Sequence, residues 1–251
     1  MSRVDDARLR AAAFGAAPPA GRGAWVSHPG HRRPSNDDRA AVGDGWVAVA
    51  DGVGSIPGSG EAAEVAVAEF GAKAAGITSV ADAVDVVRHV DELVHAMSRA
   101  GDLPPGVATT LVGAVAAGPA VIVVGLGDSP AWSLGGDGSA VDVRLVCAPQ
   151  RRWDPLLQSF TLLQAIGADR PPDPNVARVP VGEGVRIVLA SDGVLEDEPG
   201  AEVPSAVQAA AAGDAAEAAR AVLDHVLRGG APDNVTVAVL DVGVPRFHRG
   251  S

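Results

Sequence analysis

Only one cysteine, Cys147, occurs among the 251 residues, so no disulfide can form within the chain. A reducing compartment is consistent with that scarcity. Residues 1–24 contain no uninterrupted apolar core of signal-peptide length. We therefore expect a cytoplasmic protein in which residues 1–24 form a flexible leader.

Basic residues are also few, with 20 Lys and Arg against 31 Asp and Glu, a net charge of -11. This balance disfavours nucleic acid and anionic membranes as partners. The uncharged stretch Leu103–Gly127 is long enough to cross a bilayer, but it contains prolines, including Pro119 near its middle. Two buried strands, Thr109–Ala116 and Ala120–Gly125, joined by a turn fit this stretch better than a membrane helix does.

The length suits one large domain, and no change in composition marks a second one. We expect that domain to span residues 25–243 and residues 244–251 to form a tail. Helical periodicity predicts five helices, which precede or follow groups of consecutive strands. The predicted helices are Ser59–Ala75, Ser79–Ala100, Trp153–Ile166, Val203–Ala212 and Asp214–Arg228. Such grouping favours an α+β layered sandwich over a doubly wound parallel sheet.

A short stretch, GWVAVADGVGS, is the focus of the functional interpretation. Its apolar run Trp46–Ala50 reads as a buried strand and ends at Asp51-Gly52. A carboxylate at the end of such a strand is costly to desolvate unless a positive charge meets it. The Gly52 carbonyl could join Asp51 in holding a hard cation, although a plain Asp-Gly turn is a common alternative.

The same combination of strand end and acid recurs elsewhere, which favours a site over an isolated turn. The further acids are Asp128 after the strand Val121–Leu126, Asp192 after Arg186–Ala190, Asp233 before Val235–Leu240, and the adjacent pair Asp37 and Asp38. Carboxylates about 4 Å apart repel by roughly 4 kcal/mol per pair at an effective dielectric constant near 20. Divalent cations are the natural counter-charge. Two such ions can activate water for phosphoryl displacement, and Arg33 is a plausible phosphate-binding cation.

These motifs, taken in order, resemble the metal-dependent protein phosphatases of type 2C, bacterial type. The matching segments are RPSNDD at 33–38, VADGVGS at 49–55, ATTL at 108–111, VGLGDSPAW at 124–132, LASDGVLED at 189–197 and DNVTVAVL at 233–240. The resemblance implies an α-β-β-α sandwich, with two central antiparallel sheets flanked by helix pairs. It also implies a serine/threonine protein phosphatase in which a metal-bound hydroxide attacks the phosphomonoester directly.

By this resemblance, two ions of Mg²⁺ or Mn²⁺ would be bound, or three where a weaker third site is filled. Asp51 would bridge two ions, the Gly52 carbonyl would bind one of them, and Asp192 and Asp233 would complete the other. The remaining predicted roles are a weaker third site for Asp128 with Asp192, metal-bound water for Asp37, Asp38 and Thr110, and substrate phosphate for Arg33. The implied partners are a phosphorylated protein substrate and a cognate serine/threonine kinase.

Several positions depart from the family pattern, namely Ala108, Pro130, the short Asp37 and Val53, where animal members carry a histidine. None of these departures removes a direct metal ligand. A second hypothesis from another class is a catalytically weak or inactive phosphatase-like module that binds phosphoproteins. Retention of Asp51, Asp192 and Asp233 argues against that module, whereas the altered Ala108 and Pro130 positions leave it open.

Three other kinds of site fit less well. A cysteine phosphatase needs an arginine six residues after its nucleophile, and residue 153, six after Cys147, is Trp. The Gly127-Asp128-Ser129 block lacks the late Asp-x-x-His of GDS esterases, and the glycine-rich run 52–60 lacks the lysine of a P-loop. His28 and His31 flank the arginine loop as candidate general acids, although solvated histidines are more usual in loops.

Overall fold

The computed structural model describes residues 10–11, 21–135, 141–156, 158–195 and 202–245. Most of the predicted leader, the predicted turn at Gly135–Gly138 beyond its first residue, and the predicted tail after residue 245 lie outside the described residues. Two facing antiparallel sheets form the centre of the protein, and helices cover both outer faces. The predicted α-β-β-α sandwich is therefore confirmed.

All strand pairs in the two sheets are antiparallel. The described strands are β1 (Arg10–Ala11), β2 (Arg22–His28), β3 (Arg39–Gly43), β4 (Trp46–Ala50), β5 (Leu111–Ala117), β6 (Ala120–Leu126), β7 (Ala131–Gly135), β8 (Asp142–Cys147), β9 (Arg151–Asp154), β10 (Ser159–Leu162), β11 (Asn175–Pro180), β12 (Gly184–Ala190) and β13 (Val235–Gly243). The first sheet has the order β1-β2-β13-β12-β7-β8 and the second has the order β11-β6-β5-β4-β3, while β9 and β10 form a separate hairpin.

In the described part of the chain, four α-helices cover the sheets. They are α1 (Ser59–Lys73), α2 (Val80–Ala100), α3 (Ser205–Gln208) and α4 (Ala215–Gly229). The predicted cap of α2 is confirmed, because Ser79 and Asp82 form a reciprocal capping box. The predicted helix Val203–Ala212 is shorter than expected, with one turn of α-helix followed by a 3-10 turn at Ala209–Ala211.

The layers bury three apolar cores, one on each side of the sheets and one between them. Phe70 of α1 and Val90 of α2 lie in the core against the second sheet, and Leu223 of α4 lies in the core against the first. Val49 and Leu189 lie between the sheets. Both faces of the central strands are therefore shielded from water. This explains why β4 and β12 carry apolar residues at successive positions instead of alternating apolar and polar ones.

A buried arginine of the first sheet, Arg186, joins the sheet to the segment after α3. Arg186 on β12 is 1% exposed and donates to both carboxylate oxygens of Asp241 on β13, at 2.6 and 2.7 Å. The same guanidinium donates to the carbonyls of Ala210, Ala212 and Gly213. A buried charge needs this degree of satisfaction, so Arg186 holds the α3–α4 connection against the sheet.

The uncharged stretch Leu103–Gly127 contains β5 and β6, which pair as the predicted hairpin. No helix in the described part of the chain is both long and apolar enough to span a bilayer. The strand β2 begins at Arg22, before the predicted start of the domain at residue 25, and β1 pairs with it from within the predicted leader.

The helix predicted over Trp153–Ile166 is wrong, because this segment forms the hairpin of β9 and β10. Pro155 follows β9 directly and disfavours an α conformation at Asp154. Along β10, Ser159 and Thr161 are exposed, whereas Phe160 and Leu162 are half-buried. This alternation at every second residue is typical of a strand. The strands β3 and β11 were not predicted.

Candidate active site

A cavity of about 640 Å³ lies where the ends of several strands from both sheets meet. Its walls include eight of the nine residues that the sequence predicts as site residues, and the ninth, Asp38, is 3% exposed. The eight are Arg33, Asp37, Asp51, Gly52, Thr110, Asp128, Asp192 and Asp233. The tertiary structure therefore brings together residues that span 200 positions of the chain.

Asp51 is held through its backbone by the start of the neighbouring strand. Its N–H donates to Thr110 Oγ1 at 3.0 Å, and its carbonyl accepts from Thr109 Oγ1 at 2.9 Å and from the Thr110 N–H at 2.8 Å. Thr110 Oγ1 lies 2.7 Å from the hydroxyl oxygen of Ser129, which follows Asp128. The threonine pair thus positions the Asp51 backbone and links it to the loop of Asp128.

Gly52 is required because the chain passes very close to the start of α1. A Cβ at this position would lie 2.7 Å from the backbone carbon of Ser59, a distance that real Cβ atoms do not show. Gly52 also forms an isolated bridge with Thr109, which itself bridges to Ile166. The close approach keeps the Gly52 backbone at the cavity wall.

Asp38 lies buried behind the cavity and has a carboxylate oxygen suited to a cation. Its Oδ2 accepts from Ser191 Oγ at 2.7 Å, whereas its Oδ1 is buried without a hydrogen-bond partner among the described residues. Burial, together with the charge of Asp192, raises the pKa of Asp38 to about 6. An orphaned buried carboxylate oxygen fits a hard cation, which prefers oxygen ligands.

The other carboxylates share the same electrostatic environment. Desolvation is the largest cause that raises the pKa of Asp51 well above its ordinary value, followed by the charges of Asp38, Asp192 and Asp128. Desolvation and the charge of Asp192 raise the pKa of Asp128 to about 7, and desolvation and Asp233 raise the pKa of Asp192. Like charges that hinder each other's ionisation in this way favour a bound divalent cation.

Arg33 is the cation that faces these acids at the cavity. Its Nη2 donates to Asp233 Oδ2 at 2.6 Å, and their side chains are 44% and 35% exposed. The hydrogen bond from this guanidinium to Asp233 is the main reason that the pKa of Arg33 is raised. In the described part of the chain, no group of three carboxylate, imidazole or thiol side chains is placed to hold one ion. The individual ligand roles therefore stay predictions.

Asn234 is a supporting residue that the sequence-based assignment missed. Its Oδ1 accepts from the Asp37 N–H at 3.0 Å, and its Nδ2 donates to the carbonyls of Pro29 and Ser35 at 2.9 and 2.8 Å. Asn234 thereby ties the loop that carries Arg33 to the start of β13. Its position directly after Asp233, in the motif DNVTV, was the available signal.

The competing sites do not form in the structure. The Cys147 thiol is 2% exposed between the sheets, and desolvation raises its pKa to about 12. Ser129 is 2% exposed and is hydrogen-bonded to Thr110. Neither His28 nor His31 is among the described residues that line the cavity.

Comparison with known proteins gives a consistent result. The sequence model of the family described as protein phosphatase 2C matches residues 26–228. The serine/threonine protein phosphatase PstP of Mycobacterium tuberculosis is 27% identical over 229 residues, a region that covers 84% of this chain and 43% of PstP. The chain thus spans less than half the length of that relative.

Solved structures agree with the sequence comparison. The crystal structure of Mycobacterium tuberculosis PstP/Ppp has a TM-score of 0.74 and 26% identity, and the match covers 90% of this chain and 100% of that one. A structure of the PstP catalytic domain in complex with two manganese ions has a TM-score of 0.73 and 27% identity, with coverage of 90% and 100%.

Proposed function

Because this chain belongs to the protein phosphatase 2C family, we propose that it is a metal-dependent serine/threonine protein phosphatase that hydrolyses phosphomonoesters. The observation that carries the proposal is the cavity in which Asp51, Asp128, Asp192 and Asp233 face Arg33. We assign the phosphatase domain to residues 25–243, extended by the start of β2.

The donor set of the cavity suits Mg²⁺ or Mn²⁺, and the PstP catalytic domain with two manganese ions supports two ions here. Asp51 would bridge both ions, the Gly52 carbonyl would bind one, and Asp192 and Asp233 would bind the other. Asp128 with Asp192 would form a third, weaker site, while Asp37, Asp38 and Thr110 would hold coordinated water. When bound, the ions supply an activated water and positive charge for the phosphate oxygens.

The chain's own residues would orient the substrate and exclude a covalent route. Arg33 would exchange its partner Asp233 for two phosphate oxygens, because a guanidinium matches a phosphate in a bidentate fork. Neither Cys147 nor Ser129, each 2% exposed, is accessible as a nucleophile among the described residues. Direct attack of water on phosphorus, with no phospho-enzyme, is the route that we propose, with the cavity carboxylates engaged by the ions.

We further propose a phosphoprotein as substrate, a serine/threonine kinase as the opposing enzyme and the cytoplasm as the location. The name of the relative PstP supports the substrate class. The single cysteine, which cannot form an internal disulfide, supports a reducing compartment.

The test is p-nitrophenyl phosphate and phosphothreonine-peptide hydrolysis with Mn²⁺ and with excess chelator. Asp51→Asn and Asp192→Asn should each lower kcat by more than about 100-fold. Substitution of a residue that only supports a metal ligand already lowers activity by about 10- to 100-fold, and loss of a ligand should cost more. Arg33→Ala should mainly raise KM. The matched control is Asp85→Asn on α2, whose carboxylate is 75% exposed and outside the cavity, and it should retain wild-type kinetics.

Unchanged kinetics in either site variant would contradict the assignment of the cavity. Absence of turnover with any divalent ion, in folded protein, would favour the alternative, a phosphatase-like module that binds phosphoproteins. Calorimetric titration with Mn²⁺ separates the two hypotheses further, since two tight sites are expected for the enzyme and none for the module.

A further inference from the structure

A second cavity, of about 360 Å³, adjoins the candidate active site. The two cavities share Asp192 and Asp233 on their walls. Two side chains able to donate to an anion, Arg151 and His225, line the second cavity alone, and apolar residues form much of the rest. A polypeptide with its phosphorylated residue in the first cavity would therefore place nearby residues beside the second.

Arg151 is held in place by the hairpin of β9 and β10, which contributes side chains to both cavities. Its guanidinium carbon lies 3.8 Å from the centroid of the Phe160 ring, and Trp153 packs edge-on against the same ring at 5.2 Å between centroids. Phe160 in turn lines the first cavity. Stacking between a guanidinium and an aromatic ring limits rotamer freedom, so Arg151 is positioned before any ligand arrives.

The stacked face leaves the N–H groups on the edge of the Arg151 guanidinium available to a ligand. Among the residues that the structure describes, no carboxylate lies within the 4.0 Å of an ion pair with Arg151. Asp128 and Asp192 lie farther away, where the charge of Arg151 partly offsets the raised pKa of each. His225 lines the same cavity as Arg151, and its Nε2 lies 3.2 Å from the Ser205 hydroxyl oxygen.

Net charge makes these local cations important for substrate capture. The whole chain carries -11, so a phosphorylated, acidic polypeptide is repelled by the protein as a whole. Arg33 would neutralise part of the charge of the reacting phosphate, and its guanidinium already forms an ion pair with Asp233. A further anionic group on the substrate needs a second cation, and Arg151 lies in the adjoining cavity.

We propose that Arg151, together with His225 of the same cavity, forms a second anion subsite that favours phosphorylated polypeptides with another carboxylate or phosphate close to the reacting residue. This inference rests on the proposed phosphatase function and narrows its substrate class. Arg151 is then a specificity-determining residue, distinct from the phosphate-binding Arg33.

The test uses matched phosphothreonine peptides that differ only near the reacting residue, with glutamate, glutamine or a second phosphothreonine there. The wild-type kcat/KM, measured with Mn²⁺, should favour the anionic peptides over the glutamine peptide by about three- to tenfold. Arg151→Gln should reduce this ratio to about one, while Arg151→Lys should keep part of it. The control is Arg152→Gln, because Arg152 is an exposed neighbour on the same strand that lines neither cavity.

The ratio of two peptides on one enzyme cancels any general loss of activity in a variant. An equal preference in wild type and Arg151→Gln would overturn the subsite even if the phosphatase is active. Preference for only one of the two anionic peptides would identify whether carboxylate or phosphate is the natural ligand. If no peptide is hydrolysed, the proposed function fails, and fluorescence anisotropy with the same peptides then decides whether Arg151 still selects the anionic ones for binding.

Discussion

Removal of divalent metal should make the stability of this protein fall as the pH rises from 6 to 8. The physical cause is the set of carboxylates around the cavity. Burial and mutual repulsion raise the pKa values of these groups. The pKa is about 6 for Asp38 and about 7 for Asp128, and it is also raised for Asp51 and Asp192. These groups bind protons more tightly in the folded than in the unfolded chain, where an aspartate has a pKa of about 3.9.

The sign and size follow from proton linkage. A carboxyl group with a raised folded-state pKa contributes stability that is fully present below its unfolded-state pKa and is lost as the pH rises through the folded-state pKa. Between pH 6 and pH 8 this loss is about 1 kcal/mol for Asp128 and smaller for Asp38, for which most of the loss falls below pH 6. A total of about 1–2 kcal/mol corresponds to a decrease in Tm of about 2–8 °C for a chain of this size.

Thermal unfolding in excess chelator at pH 6, 7 and 8 measures this effect, and Asp128→Asn removes one contribution to it. The variant should lose about 1 kcal/mol or more of the pH dependence, because its side chain does not titrate and no longer raises the pKa of Asp51 by its charge. Saturating Mn²⁺ should stabilise the wild type more at pH 8 than at pH 6, because protons compete with the metal for the carboxylates. Identical pH dependence of wild type and Asp128→Asn in chelator would refute the reasoning.

Two further predictions concern buried polar groups outside the cavity. Arg186→Met should lower the free energy of unfolding by about 3–5 kcal/mol, because it leaves the Asp241 carboxylate and three backbone carbonyls without their donor. The control is Arg144→Met, because the Arg144 side chain is 74% exposed in its ion pair with Asp142. This control should lower the free energy of unfolding by less than about 1 kcal/mol, and urea unfolding measures both variants. Asp91 on α2 accepts from the Gly167 N–H at 2.8 Å, and desolvation raises its pKa. Asp91→Ala should therefore cost about 1–3 kcal/mol, while Asp91→Asn, which keeps the acceptor without the desolvated charge, should cost little. Equal losses in the two Asp91 variants would show that the hydrogen bond is not what matters there.

Local sequence was sufficient where neighbouring residues decide the conformation. The helix α2 was predicted almost to its ends, because its apolar residues recur at helical spacing and Ser79 supplies a cap within three positions of Asp82. The strand β4 was predicted in full, Trp46–Ala50, because an uninterrupted apolar run ends at the turn residues Asp51-Gly52. The ordered motifs were likewise sufficient to indicate the family.

Local sequence misled where a segment's partner lies elsewhere in the chain. The residues of β9 and β10 have enough apolar content for a helix, yet the two strands pair with each other. This pairing places Phe160 on the wall of the first cavity and Arg151 on the wall of the second. Pro155 and the alternation along β10 were the signals for a hairpin. β3 was not predicted because its intermediate burial gives it only a weak pattern.

The sequence by itself determined which residue types stand at the strand ends and therefore the chemistry that they can perform. Only the tertiary structure decided which of them meet. Arg33 reaches Asp233 across 200 positions because β2 and β13 are neighbours in one sheet, and Asp38 accepts from Ser191 across 153 positions. Such contacts depend on strand register and on the packing of one sheet against the other, which no local pattern specifies. The raised pKa values have the same origin, since charges that are distant in sequence affect each other only when folding removes the water between them.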